Sequence, residues 1–366
     1  MEHEIGTPHD TEIGTASRIV TAHTASYVGE APGRVRDRRA REEAEDLLLA
    51  PGATRARGAG ARAVPEEPDP MRTCFERDLD RIHHSAPFRR LAGKCQVFIA
   101  PDDDHLRTRL THAIEVAQVA VSIARATGLN VTLTAAAATA HDCGHGPAGH
   151  ASEGALTPYL EHGYHHAVYG ADVVLSPLNL CAETLDAVRN HSWNRPAPTT
   201  PEGEVVAWAD RIAYVCHDFE DAVRAGIVEP SDLPGAVSEV VGDRRSRQLG
   251  AFIDAMSTTI RSSGAVGMGP VEAAALQAFR DFNYDRIYLR PEAREQADRV
   301  TVLLRQLTDF FIDNPAAIGD GAHRTPGSAE AVAAAVRYVS GMTDRFALDL
   351  AVERLGWERS RLPQGV

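Results

Sequence analysis

Between Met71 and about Ala225 the sequence is a succession of helical patterns, and this succession restricts the possible folds more than any other feature. In the stretch 107–124, RTRLTHAIEVAQVAVSIA, apolar residues recur at three- and four-residue spacing with almost no helix breaker. Turn signals fall at 128–131, 144–149, 161–165 and 194–203. Because strand signals are sparse, the sequence predicts an all-α fold with a helical core.

The regions on either side of this core differ from each other. Residues 1–70 are irregular: a charged helix candidate at 35–50 is followed by a segment rich in Pro, Gly, Ala and Arg, which is typical of an arm or flexible loop. Further helix candidates follow the core, at 246–262, 271–283, 292–313, 328–340 and 342–356. We predict a partly flexible N-terminal arm over 1–70, a metal-binding core over 71–225 and a helical C-terminal region over 226–366 packed on that core.

Composition excludes several classes of protein. A chain of 366 residues with 43% hydrophobic content can bury a substantial core. It has no run of eighteen apolar residues and no basic, apolar leader, so we expect a cytoplasmic protein without a membrane partner. The net charge of -13 argues against a broad nucleic-acid surface. The five cysteines form no CxxC pair, which argues against a disulfide framework or a thiolate zinc site.

Histidine and aspartate residues are placed where helices can gather them around one cation. His112 lies in the amphipathic stretch just described, and His141 and Asp142 end an Ala-rich helical pattern that stops at the glycines of 144–149. Asp210 lies within a third helical pattern, at 204–223. Imidazole and carboxylate ligands together bind a divalent ion and leave positions open for water or phosphate oxygens. These four residues are the predicted metal ligands. Mn²⁺ is favoured, Fe²⁺, Co²⁺, Ni²⁺ and Zn²⁺ are alternatives, and Mg²⁺ suits the ligands less well.

Six segments between residues 72 and 350 resemble the motifs of one known family, in the family's order. They are FERDLDRIHHSAPFRRLAGKCQVF (75–98), RLTHAIEVAQVA (109–120), AHDCGHGPAGHASE (140–153), ADRIAYVCHDFEDA (209–222), YDRIYLRP (284–291) and GMTDRFAL (341–348). They resemble the HD-domain phosphohydrolases, and in particular the deoxyguanosine triphosphate triphosphohydrolase branch. That branch contains the bacterial dNTPases related to the sterile-alpha-motif HD dNTP hydrolases of animals. The family usually has Thr at the position of Cys95 and a bulky apolar residue at those of Cys143 and Ala148, so we expect an altered pocket wall.

The resemblance implies hydrolysis of a deoxynucleoside triphosphate to the deoxynucleoside and tripolyphosphate. A water on the metal would attack the α-phosphorus, and the deoxyribose 5′-oxygen would leave. His150 is the candidate general acid, because the ordinary pKa of imidazole lies near neutrality, and Glu153 stands within one helical turn to orient it. The matching histidines of the family imply that His145 and His166 approach the phosphates or the bridging water.

Substrate-binding residues are predicted on the helix that carries Asp210. Positions 206, 210, 214 and 218 share one helix face, so Tyr214 and Asp218 follow Asp210 along it. The resemblance implies that Arg109 contacts the substrate near the base and α-phosphate, while Tyr214 and Asp218 face the sugar. Tyr214 would exclude a 2′-hydroxyl by crowding, and Asp218 would bind the 3′-hydroxyl. The simpler alternative, an ordinary buried Tyr and an exposed helix Asp, stays open.

Basic residues cluster at 34–41, 89–94 and 107–109. The last two clusters are candidates to meet a triphosphate, and Lys94, the only lysine, belongs to the first of these two. The arginines of 34–41 adjoin acids at 42–46, which favours a solvated helix face over an effector site. His191 is expected to be structural or at the pocket rim.

Two other functions stay open. One keeps the metal site in a nucleotide phosphatase or phosphodiesterase that releases orthophosphate or pyrophosphate. The other is a non-catalytic nucleotide sensor or single-strand binder. The family commonly forms homo-oligomers under nucleotide control, so the resemblance also implies a homo-oligomer, with a nucleotide effector or single-stranded DNA as further candidate partners.

Overall fold

Two compact units, Met1–Asp37 and Arg38–Val366, make up the chain. The computed structural model describes residues 9–13, 17–23, 33, 35–99, 101, 103–319 and 323–363. In the first unit, β1 (His9–Ile13) and β2 (Ser17–Thr21) form an antiparallel hairpin in which His9 pairs with Thr21. The sequence analysis did not predict this hairpin, because strand signals are sparse. The hairpin lies within the expected N-terminal arm.

The second unit is built from α-helices, which confirms the predicted all-α fold. In chain order they are α1 (Arg38–Leu48), α2 (Cys74–His83), α3 (Ala86–Arg90), α4 (Arg109–Thr127), α5 (Val131–Ala140), α6 (His150–Leu156), α7 (His166–Tyr169), α8 (Ala182–Asn190), α9 (Pro201–Arg224), α10 (Gly235–Val241), α11 (Arg245–Ser263), α12 (Pro270–Asn283), α13 (Pro291–Asp313), α14 (Ala329–Ser340) and α15 (Asp344–Leu355). The five helix candidates after the core correspond to α11 to α15. Among the described residues, no helix has both the length and the apolar character that crossing a membrane requires.

Local sequence signals explain where the site-bearing helices begin and end. Thr108 caps the N-terminus of α4 by accepting a hydrogen bond from the Thr111 N–H, and Gly128 ends the helix at a φ of 72°. Asn130 then caps α5 with its side-chain oxygen, which accepts from the N–H groups of Thr132 and Leu133. These caps leave α4 and α5 in direct succession, joined by a short turn.

Four apolar clusters hold the described helices together, and two of them contain most of the buried apolar residues. In the larger one, side chains of α4 such as Val119 and Ile123 pack with α9 residues such as Val205 and Ile212, all of them fully buried. The smaller cluster joins α6 to α13, α14 and α15 through residues that include Leu156.

Part of the predicted arm is fixed to the helical unit. The fully buried carboxylate of Glu202 on α9 accepts hydrogen bonds from the backbone N–H of Thr54 (3.0 Å), the Thr54 hydroxyl (2.7 Å) and the N–H of Asn130 (2.9 Å). The Arg62 Nη1 lies 2.7 Å from the Asp78 Oδ1, and both side chains are buried. Residues 54–62 are therefore held in place, which differs from a flexible loop. The predicted divisions at residues 70 and 225 stay predictions.

Candidate metal centre

The four predicted metal ligands lie together, although they come from three parts of the chain. His112 lies on α4, His141 and Asp142 directly follow α5, and Asp210 lies in the middle of α9. The Oδ1 of Asp210 lies 3.1 Å from the Nε2 of His112 and 3.6 Å from the Nε2 of His141. The carboxylate of Asp142 lies 3.5 Å from His141 Nε2 through Oδ1 and 4.0 Å from His112 Nε2 through Oδ2.

The chemistry of this set fits a divalent cation. The Nδ1 of His141 lies 2.7 Å from the carbonyl oxygen of Ala138 and donates to it, so its Nε2 carries a lone pair. That Nε2 is buried and has no hydrogen-bond partner among the described residues. Burial acts to raise the pKa of Asp142, but His141 and Arg109 hold it well below its usual range. Burial opposes ionisation of Asp210 too, but the neighbouring His112 and His141 side chains lower its pKa. Two carboxylates and two imidazole nitrogens are thus available as ligands.

A second layer of histidines borders the four ligands. The His145 Nε2 lies 3.2 Å from Asp142 Oδ1, and its ring stacks on that of His166 with centroids 3.8 Å apart. Glu153 accepts a short hydrogen bond from the Nδ1 of His166, and its Oε1 lies 3.6 Å from the Nδ1 of His150. Burial lowers the pKa of both His145 and His166, which keeps their rings neutral. The His150 side chain is 75% exposed and is the accessible member of the group.

A cavity of about 890 Å³ extends from the metal centre, and its lining contains most of the predicted substrate-binding residues. Tyr214 and Asp218 line it one and two turns beyond Asp210 on α9, as their spacing predicts. Arg280 donates to the Tyr214 hydroxyl at 3.2 Å, and the Tyr288 hydroxyl donates to Asp218 at 2.5 Å. Burial raises the pKa of Asp218 to about 8. Its carboxyl group is therefore mainly protonated at neutral pH and can donate as well as accept a hydrogen bond.

Arg109 reaches this cavity from the first residue of α4. Its Nη1 donates to Asp142 Oδ2 at 2.6 Å, and the side chain is 2% exposed. A Cβ at Gly149 would lie 2.3 Å from the Arg109 Nη2, so the guanidinium packs directly on the backbone of the 144–149 turn. The structure thus brings Arg109 to the ligand set, where it adds positive charge next to the cation site.

The position of Lys94 differs from the prediction that this residue meets a triphosphate. Its side chain is buried, and its Nζ donates to the carbonyl oxygens of His145 and of Ser340, the latter at 3.0 Å. The residues that line the cavity do not include it. Because its hydrogen bonds go to backbone carbonyls, Lys94 joins the 144–149 turn to the end of α14 and is not placed to bind a triphosphate. Asp344 reinforces the joint by accepting from the N–H groups of Cys95 and Ala148, each at 2.8 Å.

The structure also shows where the basic cluster at 107–109 and the three departures from the family pattern lie. Arg107 forms ion pairs with Glu115, Glu220 and Asp221 and does not line the cavity. Ala148 does line it, with a positive φ of 57°, whereas Cys95 and Cys143 are buried in apolar clusters. Of the three departures, only the one at position 148 alters the cavity wall.

His191 is the main site residue whose position the sequence did not predict. It is 1% exposed, and its Nε2 lies 3.2 Å from the Nε2 of His166. Its local geometry repeats that of His141. Each histidine directly follows a helix and directs its Nδ1 to the carbonyl three residues earlier, that of Val188 in the case of His191, at 2.7 Å. A histidine at a predicted helix end was therefore the available signal. Tyr288 was missed because its motif, YDRIYLRP (284–291), suggested no role from residue types alone, and Arg280 was missed because it lies outside the six segments.

Comparisons with known proteins agree with this geometry. Residues 109–215 match the HD domain, and residues 266–353 match the phosphohydrolase-associated domain. A deoxyguanosinetriphosphate triphosphohydrolase-like protein of Caldanaerobacter subterraneus subsp. tengcongensis is 38% identical over 84% of this chain and 92% of its own length. Proteins of the same name from Clostridium tetani and Desulfatibacillum aliphaticivorans are 34% and 36% identical, each over 84% of this chain and over 93% and 94% of their own lengths.

Proposed function

The chain belongs to the HD-domain phosphohydrolases, in the family of the deoxyguanosinetriphosphate triphosphohydrolase-like proteins, and from that premise we propose that it hydrolyses deoxynucleoside triphosphates to deoxynucleoside and tripolyphosphate. The observation that carries this proposal is the position of the ligand set at one part of a cavity that Tyr214 and Asp218 also line. A phosphate next to the ligands and a sugar next to the tyrosine can then occupy one continuous site.

In this proposal His112, His141, Asp142 and Asp210 hold the cation, for which Mn²⁺ is the first candidate. When bound, the cation would supply Lewis acidity to a phosphate oxygen and would lower the pKa of a water molecule. Arg109, which touches Asp142, neutralises negative charge of the α-phosphate. The N–H groups of the neutral His145 and His166 rings are directed to Asp142 and Glu153, so their other ring nitrogens would accept hydrogen bonds from water next to the phosphates without adding charge.

His150 is proposed to protonate the departing 5′-oxygen. Its exposed ring lines the cavity, and its Nδ1 faces the Glu153 carboxylate, which acts to orient it. The short hydrogen bond from His166 to the same carboxylate fixes Glu153 in turn. Glu153 would therefore be a positioning residue that contacts both His150 and His166. The sequence suggested only that it orients His150.

Tyr214 and Asp218 are proposed to select the sugar. Arg280 donates to the tyrosine hydroxyl, the tyrosine ring would leave little room beside C2′ of a bound sugar, and the protonated carboxyl group of Asp218 would hydrogen-bond the 3′-hydroxyl. Both contacts would be made next to the cation site, and the crowding by Tyr214 would favour deoxyribose over ribose.

The test is product analysis in ¹⁸O-water. Purified protein is incubated with Mn²⁺ and each dNTP or NTP, and products are separated by ion-exchange chromatography and mass spectrometry. Attack on the α-phosphorus predicts equal amounts of deoxynucleoside and tripolyphosphate, with the solvent oxygen in the tripolyphosphate. Removal of metal with EDTA should abolish turnover, and Mn²⁺ should restore it. Asp210→Asn, purified in the same way, controls for contaminating phosphatases. Orthophosphate or pyrophosphate as the initial product would refute the proposal.

A further inference from the structure

Two cysteines that lie 107 residues apart in the sequence meet at the N-terminal ends of two helices. Cys74 is the first residue of α2, and Cys181 directly precedes α8. The Cys181 thiol donates to the backbone carbonyl of Cys74 at 3.7 Å, and the two side chains also lie in hydrogen-bonding contact. The lack of a CxxC pair in the sequence therefore did not exclude neighbouring thiols in the fold.

The backbone around the pair holds the two sulfur atoms close together. A Cβ at Gly60 would lie 2.6 Å from the Cys74 Sγ and 3.4 Å from the Cys181 Sγ, so the two sulfurs are no more than about 6 Å apart. The Cys181 N–H donates to the Asp78 Oδ2 at 2.8 Å, which fixes this residue next to α2. Glycine at position 60, with a φ of 81°, is thus what allows the segment 54–62 to pack against both thiols.

The two thiols differ in accessibility. Cys74 is half-buried and lines a cavity of about 470 Å³, whose lining residues do not include Cys181. Cys181 is fully buried, and its hydrogen bond with Cys74 and its burial raise its pKa well above the usual range of a thiol. A small oxidant in solution can therefore meet Cys74 first, and Cys181 is placed to react only with Cys74.

Neither a metal site nor another cysteine competes for these thiols. Among the described residues, no third His, Asp, Glu or Cys places a ligand atom with both sulfurs in a group compact enough to hold one ion. The other three cysteines, Cys95, Cys143 and Cys216, are buried in three different apolar clusters. Cys74 and Cys181 are therefore the pair whose thiols are placed to form an S–S bond, which needs sulfur atoms about 2 Å apart.

We propose that Cys74 and Cys181 form a reversible redox site, in which hydrogen peroxide converts the two thiols into a disulfide that joins α2 to α8. The Cys74 sulfur attacks one peroxide oxygen, the O–O bond breaks, and Cys74 becomes a sulfenic acid as the first water leaves. The Cys181 sulfur then forms the S–S bond, and its proton leaves with the sulfenic hydroxyl as the second water. Two thiols and one peroxide thus give one disulfide and two waters. A dithiol reductant reverses the change as it becomes a disulfide itself.

The disulfide would close a long loop of the chain. The residues between the two cysteines include three of the four proposed metal ligands, His112, His141 and Asp142. Closing such a loop restricts the unfolded chain and so favours the folded state. We expect the oxidised protein to unfold at a temperature higher by roughly 5 °C. This inference does not depend on the reaction proposed for the metal centre.

The test is peptide mapping after oxidation of the full-length protein. Reduced protein is treated with hydrogen peroxide, the remaining thiols are alkylated under denaturing conditions, and the chain is cleaved after glutamate. Cys74 then lies in peptide 68–76 and Cys181 in peptide 162–183, which separates it from Cys143. We expect mass spectrometry to show these two peptides joined with the loss of two hydrogen atoms. They should separate again after treatment with dithiothreitol.

Single variants separate the two steps of the oxidation. Cys181→Ala should leave a Cys74 sulfenic acid that dimedone traps, and oxidation should no longer raise its unfolding temperature. Cys216→Ala, which removes an equally buried thiol on α9, is the matched control and should keep both the joined peptides and the rise in temperature. Five alkylated cysteines in the wild-type chain after oxidation, or a disulfide that involves another cysteine, would overturn the proposal.

Discussion

Individual side chains around the cavity have protonation states and orientations set by the atoms they touch. His141 is fixed by a backbone carbonyl, and Asp218 is kept mainly neutral by burial. The contributions of these residues can therefore be separated by mutation. Removing a metal ligand should affect metal binding, whereas removing a proton donor should affect turnover alone. Three predictions concern single side chains of this cavity.

The first prediction separates metal binding from proton transfer. Asp210→Ala should lose metal and activity together, because it removes the carboxylate that both His112 and His141 face. His150→Ala should retain metal and lose turnover by roughly a hundred- to ten-thousandfold, the effect expected of a general acid. Elemental analysis and single-turnover rates measure the two quantities. Loss of metal in the His150 variant would contradict the assignment.

The second prediction concerns the sugar. Tyr214→Ala should admit ribonucleotides, raising kcat/KM for an NTP relative to its dNTP by about tenfold or more, because the ring no longer crowds the 2′-hydroxyl. Competition between matched NTP and dNTP pairs measures the ratio. Since Arg280 donates to the Tyr214 hydroxyl, Tyr214→Phe is the control that keeps the ring and loses the bond. Unchanged selectivity in the alanine variant would remove Tyr214 from this role.

The third prediction is the pH dependence that Asp218 contributes to stability. Burial raises the pKa of Asp218 to about 8, whereas an unfolded Asp titrates near pH 4. Between these values the native state holds a proton that the unfolded chain releases. The stability from this carboxyl is thus complete below about pH 4 and is lost as pH rises to about 8, by at most roughly 1.4 kcal/mol per pH unit. Urea unfolding between about pH 5 and pH 8 should show a flatter dependence in Asp218→Asn than in wild type. Equal slopes would disprove the shift.

Residue types and spacing in the sequence were enough to select four candidate metal ligands, which the structure brings together, and the helix face on which Tyr214 and Asp218 line the cavity. They did not predict the structural role of Lys94, because the local sequence does not distinguish an exposed lysine from a buried one that donates to two backbone carbonyls. Nor did they predict the position of His191, because its neighbour His166 lies 25 residues away in the chain.

At the scale of secondary structure, the geometry of the site depends on how closely one turn approaches one helix. A Cβ at Gly144 would lie 2.0 Å from the carbonyl oxygen of His166 and 2.5 Å from the backbone nitrogen of Gly170. The backbone of the 144–149 turn therefore rests directly on the backbone of α7, which brings His145 and His166 into ring contact. Both neighbours are main-chain atoms, so no side chain can move aside.

We predict that Gly144→Ala destabilises the protein by about 3 kcal/mol or more, because overpacking here must shift backbone. It should also reduce metal retention, since the turn carries the residues next to Asp142. Gly154→Ala, on the neighbouring helix α6 and with open space around a new Cβ, should be neutral or stabilising by up to about 1 kcal/mol. Thermal unfolding and bound metal measure both effects. Equal behaviour of the two variants would contradict the close approach.

Helix positions follow from periodicity and capping residues, which explains why α4, α9 and α11 to α15 agree with the sequence within a few residues. Contacts between elements do not follow in the same way. The sequence GHGPAG (144–149) does not predict that Gly144 approaches α7, because the same glycines would also suit a phosphate-binding turn. The tertiary contact, not the local sequence, decides between these uses.

At the scale of the whole molecule, one cavity is built from distant parts of the chain. Arg109 and Asp210 come from the central helices, whereas Arg280 and Tyr288 come from α12 and the turn that follows it. Glu202 makes a comparable connection at the other end of α9, where it binds the segment around Thr54. Residues far outside the ligand set therefore contribute to the stability of α9.

We predict that Glu202→Ala lowers the free energy of unfolding by about 3 kcal/mol, because it leaves the N–H groups of Thr54 and Asn130 buried without an acceptor. Cleavage by trypsin after Arg55 and Arg57 should become faster as this segment detaches. Glu204→Ala, two residues further along α9, is the control and should change stability by less than about 1 kcal/mol. Urea unfolding and mass spectrometry of the digest test both outcomes. A segment equally resistant in both variants would show that Glu202 is not its anchor.

The position of Lys94 also affects how this protein can be handled in the laboratory. It provides the only ε-amino group of the chain, and that group is enclosed between two backbone carbonyls. Acylating dyes, aldehyde cross-linkers and enzymes that modify lysine therefore have no accessible ε-amine on the folded protein. Attachment of such a reagent at this position would report that the turn beside Asp142 has opened.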